Sequence, residues 1–189
     1  GEVYPAACGV IIFQSAKNGR IDAARDHVVF GRERHTDCQE GGPMGYPSRA
    51  LRTDDYLYIR NYQPDRWPAG TPHRDKAFKP DAWLGDCDNG PTKFYLWANR
   101  GFDDAHRHYH DLSFAKRPSE ELYVLAVDAD QVRNVADDPE LAGIKEKLAA
   151  QLTAYLKGTG DPRETASPAE FDSYPYIGGV VKWRGTHPN

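Results

Sequence analysis

The sequence predicts an α+β domain of short strands, two of them joined as a hairpin, with one long helix packed on them and long loops between the elements. Three observations point there. Short strand patterns recur near residues 28–30, 48–53, 56–62 and 121–125, and one apolar stripe over 138–158 has helical spacing. Gly 17 plus Pro 14 makes 31 of 189 residues, which is rich in turns. A chain of 189 residues suffices for one domain with its own core.

Before residue 28, Asn18 and Gly19 mark a turn, and Asp22 to Asp26 is expected to form a short helical turn. Val28-Val29-Phe30 reads as a short buried strand. Ser48 to Thr53 and Tyr56 to Tyr62 follow as two strands, with Asp54-Asp55 as a hairpin connection. The stretch from Gln63 to His110 holds Pro64, Pro68, Pro72, Pro80 and Pro91 with Trp67, Trp83 and Trp97. It is too punctuated for regular elements and too aromatic for a solvated linker, so it is expected to be an ordered loop excursion. Glu121 to Leu125 is a further strand and Asn134-Val135-Ala136 a turn.

The helix that follows is the clearest element. Asp138 suits the N-cap, Pro139 the first helical position and Glu140 the positive end of the dipole. Leu141, Ile144, Leu148, Leu152 and Tyr155 recur on one face, and Gly158 supplies the stop. Residues 160–176 read as a polar tail, with a last strand from Ile177 to Trp183.

Composition excludes several classes. Lys plus Arg is 24 against 28 for Asp plus Glu, a net charge of −4, unlike the clustered basic footprint of a nucleic-acid module. The longest apolar stretch, Cys8 to Phe13, is far too short to cross a bilayer. Cys8, Cys38 and Cys87 are too few and scattered for a disulfide framework or a zinc site, and at most one bridge is expected. The chain begins Gly1-Glu2-Val3, with neither an initiator Met nor a charged-then-apolar leader, and is read as a fragment or processed product.

Three groups of residues could carry chemistry. His106, His108 and His110 alternate, which on a strand would set three imidazoles on one face, the side chain most used for metals; a wet loop explains them as well. Asp86-Cys87-Asp88-Asn89-Gly90 resembles the start of a calcium loop but lacks its distal glutamate, so an Asx-type turn fits better. The densest group is Gly31-Arg32-Glu33-Arg34-His35-Thr36-Asp37, leaving the end of a strand. There Arg32, Arg34 and His35 suit an anion such as sulfate, phosphate or carboxylate, and a surface salt-bridge knot is the competing reading. Arg49, Arg52 and Arg60 read as outward-facing strand positions. No nucleophile sits in a G-x-S-x-G elbow.

Several segments resemble the C-terminal part of sulfatases, in order. They are Asp26-His27-Val28-Val29-Phe30-Gly31-Arg32-Glu33-Arg34-His35-Thr36, the run from Tyr46 to Asn61, and Pro64-Asp65-Arg66-Trp67-Pro68-Ala69-Gly70. Lys116 to Tyr123 and Asn134 to Pro139 resemble the family's element ahead of its last long helix. The resemblance runs from about Gly19 to about Tyr176, and its nearest group is the bacterial relatives of heparan N-sulfatase (N-sulfoglucosamine sulfohydrolase). Val124 and Ala129 depart from it, standing where the family usually has Asp and Pro.

The resemblance implies the smaller domain of a two-part, alkaline-phosphatase-like enzyme, a small antiparallel sheet of about four strands with a packed C-terminal helix and long loops. Residues 1–27 would then connect to a missing catalytic domain, and 28–189 would form the C-terminal domain with a Trp/Pro-rich insertion at about 63–110. In such enzymes the large domain holds a divalent cation, usually calcium, and a formylglycine made within C/S-x-P/A-x-R. Neither that motif nor the paired metal-binding aspartates occurs here. Gly45-Tyr46-Pro47-Ser48-Arg49 has only a glycine at the reacting position, and Asp88-Asn89-Gly90 falls too late in the chain to be the family's metal ligands. The fragment alone is therefore expected to be inactive, with no catalytic or metal-binding residue of its own. Its expected partners are the missing domain, a sulfated glycan contacted through His35, Arg34 and Arg32, and a second copy; nucleic acid and membrane are not expected. A periplasmic or secreted address follows from the family. The rival expectation is a stand-alone carbohydrate- or protein-binding module that uses the Trp-rich stretch as a platform.

Overall fold

The structure, a computed structural model, describes residues 25–78, 82–166 and 170–175. The expected turn at Asn18 and Gly19, most of the helical turn before Asp26, the apolar stretch Cys8 to Phe13 and the strand from Ile177 lie outside the described residues.

Four strands form one antiparallel sheet in the order β1 (Val28–Arg32), β2 (Ser48–Arg52), β3 (Tyr56–Asn61) and β4 (Glu120–Val124). The architecture is the α+β arrangement read from the sequence. The β2–β3 connection is a tight turn in which the Thr53 hydroxyl receives the Asp55 and Tyr56 amides. The register sets Val29 opposite Leu51, Leu51 opposite Tyr58 and Tyr58 opposite Leu122. Because side chains alternate across a strand, these four share one face.

That face is covered by the long helix. Asp138 accepts from the Glu140 amide and caps a short 3₁₀ turn, Pro139–Leu141, that leads into α3 (Ala142–Gly158). Leu148, Leu152 and Leu156 of α3 pack on Leu51, Tyr58 and Leu122 as the main core. Tyr155, expected on the buried stripe, is exposed and Leu156 takes its place, because the helix carries its apolar face one step further round at its end. The chain leaves the helix at Gly160, whose φ of +72° is the left-handed conformation glycine favours.

The strand reading of Val28 to Phe30 holds but its burial does not. Val28 is 55% and Phe30 49% exposed, since β1 pairs only with β2 among the described residues. Phe30 lies on the sheet face opposite α3, beside a smaller cluster of Ala50, Leu57 and Tyr123.

The Trp- and Pro-rich excursion is more regular than expected. It contains α1 (Pro91–Asn99) and α2 (Asp104–Phe114). Pro91 starts the first at a position where its missing amide is harmless, and the Asp103 carboxylate caps the second by accepting from the His106 amide. Trp83, Leu84, Ala69 and Phe114 build a separate small core, so Trp83 is a packing residue and not a platform. Lys93 is buried there with its ammonium on the Leu84 and Cys87 carbonyls and the Asn89 side chain, and burial pulls its pKa below the usual lysine range.

After α3 come two short helices, α4 (Pro162–Thr165) and α5 (Glu170–Ser173), where the sequence suggested a polar tail.

Candidate functional site

Arg32 closes β1, and the next four residues turn over the loops that follow β3. Gly31 makes this possible, since a Cβ there would sit 2.6 Å from the Arg49 side chain and 2.5 Å from the Ser48 carbonyl. The Arg32 guanidinium donates to the Tyr46 carbonyl at 3.2 Å, the Pro68 carbonyl at 2.5 Å and the Asp86 carboxylate at 2.8 Å. The His35 ring meets the other oxygen of Asp86 through Nδ1 at 2.7 Å, and the Thr36 hydroxyl lies 3.2 Å from that same oxygen. Asp86, 10% exposed, is thus the joint on which Arg32, His35 and Thr36 converge, while His35 itself is 75% exposed.

Asp86 was legible only as the first residue of a broken calcium loop. Its real partners stand 50 to 54 positions earlier, and no local spacing reveals that. Among the described residues no group of three or more His, Cys, Asp or Glu could hold a metal ion.

Arg34 diverges from this cluster. Its guanidinium donates to the Pro43 carbonyl at 2.5 Å and the Tyr174 carbonyl at 2.9 Å. It lines a small cavity of about 150 Å³ with Glu33, Gly45, Phe171, Asp172 and Tyr174. The three expected anion contacts therefore split into a pair, Arg32 with His35, and a separate Arg34.

The outward reading of Arg49 and Arg60 is overturned. Arg49 is buried, donating to Glu33 at 2.7 Å and to Asp161 at 2.8 and 3.2 Å. Glu33 also receives Arg163, at 2.6 Å from Nη2. Arg60 donates to Glu164 at 2.7 Å and to the Thr153 hydroxyl, and the Tyr62 hydroxyl joins Glu164 at 2.6 Å. Strand alternation gives the face of a side chain but not what covers that face, and here carboxylates from residues 161–164 cover it. Arg52 is exposed as read. Burial would raise the Asp161 carboxyl, but hydrogen bonds from Arg49 and the Arg163 amide outweigh it and hold the pKa below the usual carboxylate range. Cys38, packed against Gly70, has its thiol pKa raised by burial despite the hydrogen bond from Thr36.

The histidines lie on α2, not on a strand or in a loop. His106 bonds Asp103 through Nδ1 at 2.6 Å and the Tyr95 hydroxyl through Nε2 at 3.0 Å, tying the two helices together. His110 packs against Trp97 and Phe114. His108, two positions from each, is exposed on another part of the helix.

No family profile matches the chain, and no curated protein matches it. Among solved structures it is similar to a protein of Bacteroides thetaiotaomicron described as a "putative sulfatase", with 15% identity and a TM-score of 0.42. That match covers 85% of this chain and 23% of the other, so this chain spans a minor part of the length of the structure it matches.

Proposed function

We propose that the chain is the C-terminal domain of a sulfatase whose parent enzyme hydrolyses sulfate esters or N-sulfamates of glycans, within the heparan N-sulfatase-like group. One observation carries this reading: most of the segments that resemble the family fall, in order, on the strands of one antiparallel sheet and on the approach to its helix. Residues 26–36 cover β1 and the turn beyond it, 46–61 the β2–β3 hairpin, 64–70 the loop after it, 116–123 most of β4, and 134–139 the approach to α3. A four-stranded antiparallel sheet with a packed C-terminal helix is what the resemblance implies for that domain.

In this reading residues 1–27 join the domain to a catalytic partner that supplies formylglycine and calcium, and the complete enzyme is periplasmic or secreted. The present chain contributes charge and shape. His35, oriented by Asp86, hydrogen-bonds the sugar or its sulfate, and Arg32 and Arg34 add positive potential at the pocket mouth. Without the partner, the fragment releases no sulfate.

The coding region upstream of Gly1 tests the assignment. A reading frame continuous with this one and containing C/S-x-P/A-x-R is expected. A start codon directly before Gly1, or turnover of an aryl sulfate by the isolated chain, would overturn it.

A further inference from the structure

We propose that the open face of the sheet carries a binding site for an uncharged, hydroxyl-bearing ring such as a neutral sugar unit, with the Tyr46 hydroxyl as its inner hydrogen-bond donor. The side of the sheet away from α3 holds a cavity of about 370 Å³, within the range of small-molecule pockets, about 300 to 1,000 Å³. Leu57 and Ile59 of β3 and the Tyr123 ring of β4 line it as an apolar floor. Ser48, Asn61 and Glu121 stand at its polar end.

One group in this wall is unsatisfied. Tyr46 is 4% exposed, and its hydroxyl is buried without a hydrogen-bond partner among the described residues. Burial raises the pKa of the phenol and the Glu121 carboxylate adds to the rise, so the group stays protonated and can donate. Glu121, Arg117 and Arg32 are the charges that bear on it, and all three line the same cavity, which puts the hydroxyl at its inner wall. A buried donor left unpaired is costly, and a ligand oxygen seated in the cavity removes that cost.

The other polar groups set the charge of the ligand. Arg32 and Arg117 are balanced by Glu121 and Asp130 on the cavity wall. Much of their capacity is already committed. Arg32 donates to the Tyr46 and Pro68 carbonyls and to Asp86, and Arg117 donates to the Leu112 carbonyl. Glu121 accepts from Asn61 at 2.7 Å and from the Tyr123 hydroxyl. An ion entering here meets no unbalanced counter-charge, whereas an uncharged ring covers Leu57 and Ile59 with its apolar face and offers an oxygen to Tyr46. An extended peptide is disfavoured, because β3, at the centre of the floor, is paired on both sides and leaves no strand to extend.

The test is an NMR titration of the 189-residue chain with N-acetyl-D-glucosamine, an uncharged ring with an additional carbonyl acceptor, against glycerol at equal hydroxyl concentration. Saturable shifts are expected at the Ser48, Ile59 and Asn61 amides with a Kd on the order of millimolar, and none that saturate in glycerol. Tyr46→Phe keeps the ring on which the Arg32 guanidinium lies, 5.5 Å from its centroid, and removes only the hydroxyl. It should weaken the sugar about ten-fold and leave the Tm of the free chain equal to that of the wild type or higher, since no hydrogen bond is lost. Absence of saturation, equal affinity in the two proteins, or a lower Tm in Tyr46→Phe would overturn the site, the last because the hydroxyl would then have a structural partner already. The site is independent of the sulfatase assignment, which the upstream coding sequence tests separately.

Discussion

Arg49 and Asp161, 112 positions apart, meet in a two-point contact, Nε to Oδ2 at 2.8 Å and Nη2 to Oδ1 at 3.2 Å. The contact binds the second strand of the sheet to the segment that follows the long helix. Glu33 and Arg163 extend it to four alternating charges, and Arg163 has only 1% of its side chain exposed.

Removing one member of such a network leaves a charge without its counterpart in a shielded place. Arg49→Ala should therefore destabilise the chain by about 3 kcal/mol or more, whereas Arg52→Ala, on the same strand but exposed, should change stability by less than about 0.5 kcal/mol. Urea unfolding of both variants gives the comparison. Equal midpoints would mean the network carries no net stability.

Asp161 also fixes the acid limb of stability. Its carboxyl titrates below the usual range when folded and returns to about 3.8 when unfolded. A group depressed in the folded state contributes fully above its unfolded pKa, and its contribution is lost as pH falls toward the folded value. Tm should thus be flat above about pH 5 and fall below pH 4, and Asp161→Asn should begin lower and fall less steeply. A parallel acid limb in the variant would assign the loss to other carboxylates.

Much of this architecture is visible in the sequence because it is written locally. The 3–4 spacing of Leu148 and Leu152, the Asp138-Pro139 start and the Asp54-Asp55 hairpin each need only a few neighbours to be read. What is not visible depends on distant partners. Val28-Val29-Phe30 reads as buried because a continuous apolar run looks the same at the edge of a sheet as at its centre. The alternating histidines near 106–110 gave no period that separates strand from helix, and the deciding cap, Asp103, lies just before them. The candidate site is half legible: Arg32 and His35 were nameable, but Asp86, which joins them, arrives from a loop more than 50 positions later.

The exposed edge carries its own expectation. Phe30 is half exposed on a strand with a single neighbour among the described residues, and Val28 lies beside it on the same face. Apolar edge strands pair with other copies unless charge blocks them. Sedimentation should show mass rising with concentration for the wild type and a monomer for Phe30→Asp. Monomer at every concentration in the wild type would remove self-association through this edge.

His35 is the residue on which the substrate reading is most open to test. Its ring is three-quarters exposed yet held at 2.7 Å by a carboxylate that is nearly buried, so it is oriented without being part of the core. An exposed side-chain contact of this kind contributes little to folding, about 0 to 1 kcal/mol, and His35→Ala should shift Tm by no more than a few degrees. A hydrogen bond from such a ring to a charged sulfate is worth more, about 1.5 to 3 kcal/mol, which corresponds to roughly ten- to two-hundred-fold in kcat/KM. Asp86→Asn is the informative companion. It loosens Arg32 and Thr36 as well as His35, so it should lower Tm and the specificity constant together. Both variants belong in the full-length enzyme proposed above, assayed on a sulfated glycan, with melting temperature and kcat/KM measured on the same preparations. A substrate contact predicts that His35→Ala separates the two readouts, with a large kinetic loss at nearly constant Tm. A clear drop in Tm with kcat/KM intact would instead make His35 a clasp that closes the loop onto Asp86, and would remove it from the site.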